Sequence, residues 1–328
     1  MAPRARIHGL VWALTVALAW PGAGFASCTA GSGSSDGAVA LVLSGGGAKG
    51  AWEAGAAAAL LGQGLPVRVV AGSSAGALNA AMIADGRLDR LEALWRAITP
   101  EQVYALRPSV FFSGLLPGWL TLLTLNQAGS LFDPEPLRRL IADSLDFARV
   151  RASPVRLVVT TSDLARYRTR VFDNATVTVD ALMAAAAVPG AFPAVEVDGD
   201  LLVDGGLAGR APILEALATG IPIGRAVVVM SYAPDERAAR PTTLRRALEG
   251  AFEMAMMYQI RRDTELARLR HPAVDIQVLT PSAPLALRPL DFEPIRLARA
   301  LELGKRDGLA CLKAWEGAGR TGVSVPER

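Results

Sequence analysis

Two apolar runs, Ala38–Leu43 and Val67–Ala71, each lead directly into a turn that only small residues permit. The first turn is Ser44-Gly45-Gly46-Gly47-Ala48-Lys49-Gly50 and the second is Gly72-Ser73-Ser74-Ala75-Gly76. An apolar run of this length ending in a glycine cluster reads as a buried strand passing sharply into a helix. The second turn fits the nucleophile-elbow pattern G-x-S-x-G, with Ser74 at its centre. The first offers consecutive backbone N–H groups at a helix start, where local dipoles favour negative charge. Taken together, they suit a serine acyl hydrolase in which one loop presents the nucleophile and the other holds the oxyanion.

The remainder of the chain can support such a fold. It has 328 residues, 51% of them hydrophobic, which is ample for a substantial core. The formal charge of +3 includes Arg4 and Arg6, and without them it falls close to neutral, so the composition gives no argument for nucleic acid. Those two arginines, the apolar stretch Ile7–Trp20 and the small-residue exit Pro21–Ser27 read as an export signal over residues 1–27. The apolar stretch is shorter than the roughly 20 residues a membrane-spanning helix needs. Cleavage after Ala26 would release a soluble protein. Cleavage before Cys28 would follow the lipobox-like Phe25-Ala26-Ser27-Cys28, attach lipid to Cys28 and leave residues 28–37 as a Gly/Ser tether. We read Cys28 as the lipidation candidate, which places the protein in the periplasm or on the outer membrane; otherwise it is secreted. Cys311, within an apolar helical pattern, reads as a buried free thiol. A Cys28–Cys311 disulfide suits an oxidising compartment but is incompatible with lipidation. Two cysteines and two histidines, scattered, form no metal-binding spacing.

Beyond the tether, strand and helix patterns alternate. Further strands are expected at 155–160, 169–172, 201–203, 226–230 and 274–279, and helices from about 48, from about 75 and over 88–98. The runs at 38–43, 155–160 and 226–230 are apolar at nearly every position, as strands covered on both faces are. The expectation is an α/β layered fold in one catalytic domain, 38–320. Residues 108–131 interrupt the rhythm with dense apolar residues broken by Gly114, Pro117 and Gly118. They read either as a packed helical hairpin or as a cap whose Phe111, Phe112 and Trp119 meet lipid. The arginines between 237 and 270 read as a solvated helix face.

A serine hydroxyl needs a nearby base to act as a nucleophile at neutral pH. Gly45-x-Gly47-x-x-Gly50 also fits a dinucleotide fingerprint, but there is no acid between Glu53 and Asp85 to meet a ribose, so no nucleotide cofactor is expected. Lys49 is followed by Gly50 and Ala51, which excludes a P-loop, and it reads as an exposed first-turn lysine. Two bases remain open for Ser74. His271 completes the order Ser74, Asp204, His271 of an α/β-hydrolase triad. Asp204, at the glycine turn Asp204-Gly205-Gly206, could accept the proton directly if partly desolvated.

The ordered set Gly45-Gly46-Gly47-Ala48-Lys49-Gly50, Gly72-Ser73-Ser74-Ala75-Gly76 and Asp204-Gly205-Gly206 resembles the patatin-like phospholipase family. Ala184–Pro193, with its Pro189-Gly190-Ala191-Phe192-Pro193, Leu131–Leu137 and Asp291–Pro294 are similar to family segments as well. The resemblance covers roughly residues 38–315. It implies a three-layer α/β/α fold with a mainly parallel central sheet, Ser74 as nucleophile and Asp204 as its base. It further implies Gly45, Gly46 and Gly47 as oxyanion-hole donors, Gly72 and Gly76 as elbow glycines, and no metal or other cofactor. The implied substrate is a membrane lipid or another acyl ester met at a membrane surface. Ala185 and Gly209-Arg210 depart from the family pattern, which bears on how the Asp204 loop is braced. The rival reading is a lipid-binding or envelope-assembly lipoprotein that keeps the fold without turnover.

Overall fold

A strand that is apolar at every position must be covered on both faces, and β1 (Ala38–Leu43) is covered in this way. The computed structural model describes residues 28, 37–113, 129–233 and 240–321. The signal segment 1–27, most of the tether and residues 114–128 of the expected cap lie outside the described residues. β1 lies between β2 (Val67–Gly72) and β7 (Ile223–Val229), parallel to both. On the β7 side the sheet continues, still parallel, into β8 (Asp275–Leu279). On the β2 side it continues in parallel into β3 (Arg156–Asp163). β3 then pairs antiparallel with β4 (Arg168–Phe172) and β6 (Asp200–Asp204), and β6 pairs with β5 (Val195–Val197). The order is therefore β8-β7-β1-β2-β3-β6-β5, with β4 also on β3.

Alternate residues of each central strand enter different cores, which makes the layers explicit. Val39, Leu41, Leu43, Val227 and Val229 join one apolar cluster, with α1 (Gly50–Gly62), α2 (Ala75–Asp85), α3 (Leu88–Ala97) and α6 (Pro294–Thr321). Ala40, Val42, Ala226 and Val228 join the other, with α4 (Ile213–Leu217) and α5 (Leu244–Arg270). This is the expected α/β/α sandwich with a mainly parallel sheet. Two of its strands depart from the expectation. β3 runs on through Thr161–Asp163, because those polar residues pair with β4 and β6. β5, only three residues long, is too short to show any periodicity.

The two longest-range ties involve α6. Small residues let it lie backbone to backbone against α1: a Cβ on Gly304 would strike the Trp52 carbonyl, and one on Gly55 the Leu301 carbonyl. Trp52 Nε1 donates to Asp307 Oδ2 at 2.8 Å in the same seam. The second tie corrects two expectations. Cys28 and Cys311 form a disulfide with a Cα–Cα separation of 5.5 Å, well inside the usual range. Cys311 is therefore buried but not a free thiol. Cys28, which also bridges to Leu279 at the end of β8, has its sulfur committed to the bridge in place of the expected lipid.

Two outcomes are expected. The intact mass of the non-reduced protein should lack two hydrogens and carry no lipid adduct, and Cys311→Ser should cost ~2–5 kcal/mol in denaturant unfolding. Gly304→Val should lower stability by ~1–3 kcal/mol through overpacking of the α1–α6 seam, read from the shift in unfolding midpoint.

Candidate active site

The parallel strands bring both glycine turns to one edge. β1 is the point at which connections diverge to either side of the sheet, so the loops at its carboxyl end open a crevice. Gly45, Gly46 and Gly47 follow β1 with φ of 74°, 126° and 59°, a run of left-handed backbone that no three L side chains would adopt. Ser74 follows β2 at φ 54° and ψ −135°, a strained conformation for a residue with a Cβ and the one a nucleophile elbow imposes. The elbow closes only because Gly72 and Gly76 lack side chains. A Cβ on Gly72 would strike the Gly76 carbonyl, and one on Gly76 the Leu43 carbonyl at the end of β1.

Asp204 reaches the same place by the antiparallel route. Val159 of β3 pairs with Gly72, and two residues further along Thr161 pairs with Asp204, so β6 delivers the aspartate just past the start of the elbow. One short segment locks both residues: Ser74 N–H donates to the Ala185 carbonyl at 3.1 Å, and Asp204 N–H to the Ala187 carbonyl at 3.0 Å. The departure at Ala185 is therefore harmless to this contact, which uses only its backbone. Ser162 Oγ donates to the Asp204 carbonyl at 2.9 Å.

The carboxyl of Asp204 is fully buried, and its Oδ1 accepts the Gly206 N–H at 2.8 Å. Burial raises its pKa above the ordinary aspartate value, while Arg210, the Gly206 N–H and the Ser74 side chain pull it back down. Oδ2 has no hydrogen-bond partner of full geometry among the described residues, although the Ser74 hydroxyl is near enough to favour the ionised form. Catalytic hydrogen bonds are commonly loose before substrate binds. Ser74 itself is 5% exposed.

The glycine loop requires one correction. Gly45 N–H is already spent, donating to Glu53 Oε1 at 2.8 Å, so Gly45 is not an oxyanion donor. Among the described residues the N–H groups of Gly46, Gly47 and Ala75 have no acceptor, and these are the candidate donors. Glu53, from the first turns of α1, is fully buried and also accepts Ser44 Oγ–H at 2.8 Å. Ser231, after β7, ties down the other side through its hydroxyl to the Gly45 carbonyl at 2.5 Å. Burial pushes the Glu53 pKa up to about 8, so the group is mainly neutral at pH 7.

Other expectations fare differently. Lys49 is buried, at 1% exposure, not solvated: Nζ sits 3.1 Å from Glu253 Oε1 and 4.1 Å above the Tyr232 ring. His271 is not brought to Ser74. It caps the end of α5 and precedes β8, whose Asp275 aligns through Arg225 with Val39, whereas the serine turn lies at the opposite, Leu43 end. That placement removes the triad. Glu53, Ser73, Ser231 and Arg210 were missed as site residues; only Arg210 carried a signal, as a departure from the family pattern.

Residues 41–217, more than half of the chain, match the Patatin-like phospholipase family. NTE family proteins of Mycobacterium tuberculosis and Mycobacterium bovis are 30% identical over 182 residues, covering 55% of this chain and 46% of theirs. The match thus spans about half the length of these curated relatives. Among solved structures, human GIVD cytosolic phospholipase A2 in complex with methyl gamma-linolenyl fluorophosphonate aligns over 87% of this chain and 59% of its own, with a TM-score of 0.47 and 13% identity. VipD from Legionella pneumophila aligns over 84% and 66%, with a TM-score of 0.44 and 15% identity. The matched span begins within β1 and ends with the helix Ile213–Leu217, enclosing both glycine turns and Asp204, and this chain belongs to the patatin-like phospholipase family.

Proposed function

We propose that this protein is a serine lipid acyl hydrolase that works through a Ser74–Asp204 dyad and an acyl-enzyme. The observation that carries the reading is the convergence of a strained Ser74 and a buried Asp204, both fastened to the Ala185–Ala187 backbone. Ser74 Oγ attacks the ester carbonyl as Asp204 accepts its proton, and the developing oxyanion meets the N–H groups of Gly46, Gly47 and Ala75. Asp204 returns the proton to the departing alkoxide, leaving the acyl group on Ser74. Water, deprotonated by Asp204, then attacks the acyl-enzyme, and the proton passes back to Ser74 as the fatty acid leaves.

The substrate in this reading is a membrane lipid or a related acyl ester, reached from the membrane surface. Phe111, 61% exposed at the start of the expected cap, supports contact with lipid. We place the protein outside the cytoplasm; the leader-like residues 1–27 and the Cys28–Cys311 bridge support an oxidising compartment.

Ser74→Ala should lower kcat/KM on a p-nitrophenyl ester by ~10³-fold or more, and should abolish labelling by a fluorophosphonate probe. An inert lipid-binding protein would leave even the wild type unlabelled. Asp204→Asn, which keeps the shape but cannot take a proton, should cost ~10²–10⁴-fold, whereas His271→Ala should leave turnover intact. The base must be ionised, so kcat/KM should fall as pH drops through the Asp204 pKa. Because burial raises that pKa, the acid limb should lie above the ordinary aspartate range.

A further inference from the structure

Arg210 stands six residues beyond Asp204 and is 2% exposed. Its backbone serves the nucleophile turn, since its carbonyl accepts the Ser73 hydroxyl at 2.6 Å. Its side chain fills the space between the two other turns. A Cβ on Gly46 would come within 3.2 Å of Nη2, and one on Gly206 within 2.9 Å of Nη1. The guanidinium thus fills the space beside the glycine loop and the Asp204 turn where a side chain on either glycine would go.

A guanidinium buried this deeply is expensive unless opposite charge answers it. Among the described residues Arg210 has no ion-pair partner at salt-bridge distance, and its Nε has no hydrogen-bond partner. The titratable groups it faces are Asp204 from the end of β6, Glu53 from α1 and Tyr232 after β7, and it favours the ionised form of each. Beyond the Tyr232 ring lie Lys49 and Glu253, already paired with each other. Tyr232 is kept a neutral phenol by burial. Burial likewise keeps Glu53 mostly protonated near neutral pH, where it serves the loop as a hydrogen-bond acceptor. Burial raises Asp204 as well, but Arg210 Nη1 and Asp204 Oδ1 each lie 2.9 Å from the point a Cβ on Gly206 would occupy, so the cation stands beside this carboxylate and opposes the rise.

We propose that Arg210 is a positioning residue of the dyad: its buried guanidinium holds Asp204 in the ionised, proton-accepting form, while its carbonyl anchors the Ser73 side of the nucleophile turn. The proposal rests on the Ser74–Asp204 reading above. It assigns a positioning role to a residue that the family resemblance marks only as a departure, and explains how a loop lacking the usual pattern at Gly209-Arg210 is braced.

The test is the pH profile of kcat/KM on a short-chain p-nitrophenyl ester for the full-length wild type, Arg210→Met, Arg210→Gln and Arg210→Lys, with thermal melts to establish folding. Loss of the cation should move the acid limb upward by ~1–3 pH units in the Met and Gln variants, an opposite charge at this range being worth that much to a carboxylate. Turnover at the old limb should then drop ~10-fold or more and recover at alkaline pH. Arg210→Lys, which keeps the charge, should hold its limb near the wild-type position. If Arg210→Met does not fold, the Gln and Lys pair carries the comparison. A limb that stays in place in the neutral variants, or a loss uniform across pH, overturns the proposal. Ser74→Ala and Asp204→Asn, run alongside, separate the failures: if either retains turnover, the dyad reading itself falls, and if both are inactive while the limb stays fixed, only the role of Arg210 falls.

Discussion

The contact on which the site depends is that of one backbone against another, at the carboxyl ends of β1 and β2. Gly76 lies so close to the Leu43 carbonyl that no Cβ fits between them, and Gly45 is pressed in the same way against the Ser73 carbonyl. This approach brings the glycine loop within reach of Ser74. It also explains why the strained Ser74 conformation persists, because the surrounding chain leaves the turn no room to relax. The parallel sheet supplies the direction of both loops, and the antiparallel return through β6 brings Asp204 to the same edge.

Buried charge is the second organising element. Asp204, Glu53, Arg210 and Lys49, at the glycine loop and the Asp204 turn, are almost wholly out of solvent. A cluster of this kind is tolerable only if each member is neutralised, paired or hydrogen-bonded. Three solutions operate side by side: Glu53 by protonation and two donors, Lys49 by an ion pair and an aromatic face, and Asp204 by a backbone N–H and a nearby cation. The local dielectric is low, so small displacements among these groups carry large electrostatic consequences.

The layered fold, the central strands and the Ser74 and Asp204 turns were legible in the residues because each has a local cause. Val39 to Leu43 is apolar throughout, and a glycine pattern announces a tight turn wherever it occurs. What was not legible depends on contacts distant in the chain. Nothing near Gly45 reveals that its N–H belongs to Glu53, and nothing near Lys49 reveals that Glu253 comes to meet it, 204 residues away in the numbering. With only two cysteines, a Cys28–Cys311 pairing could be named from the residues, but the choice between bridge and lipid could not, since two cysteines 283 residues apart do not declare a shared position. His271 misled in the opposite sense. Its place in the order of residues suited a triad, but order along the chain does not say at which edge of a sheet a residue emerges.

The Cys28–Cys311 bridge turns nearly the whole folded region into a closed covalent ring, with α6 as its clasp. The oxyanion loop, the elbow, the Asp204 turn and the span 108–131 all lie inside it. A single peptide-bond cut anywhere within that ring opens it without dividing the molecule, so a nicked chain remains one covalent body for as long as the sulfurs stay joined. The bridge makes survival of a cleaved loop a matter of redox chemistry as much as of packing.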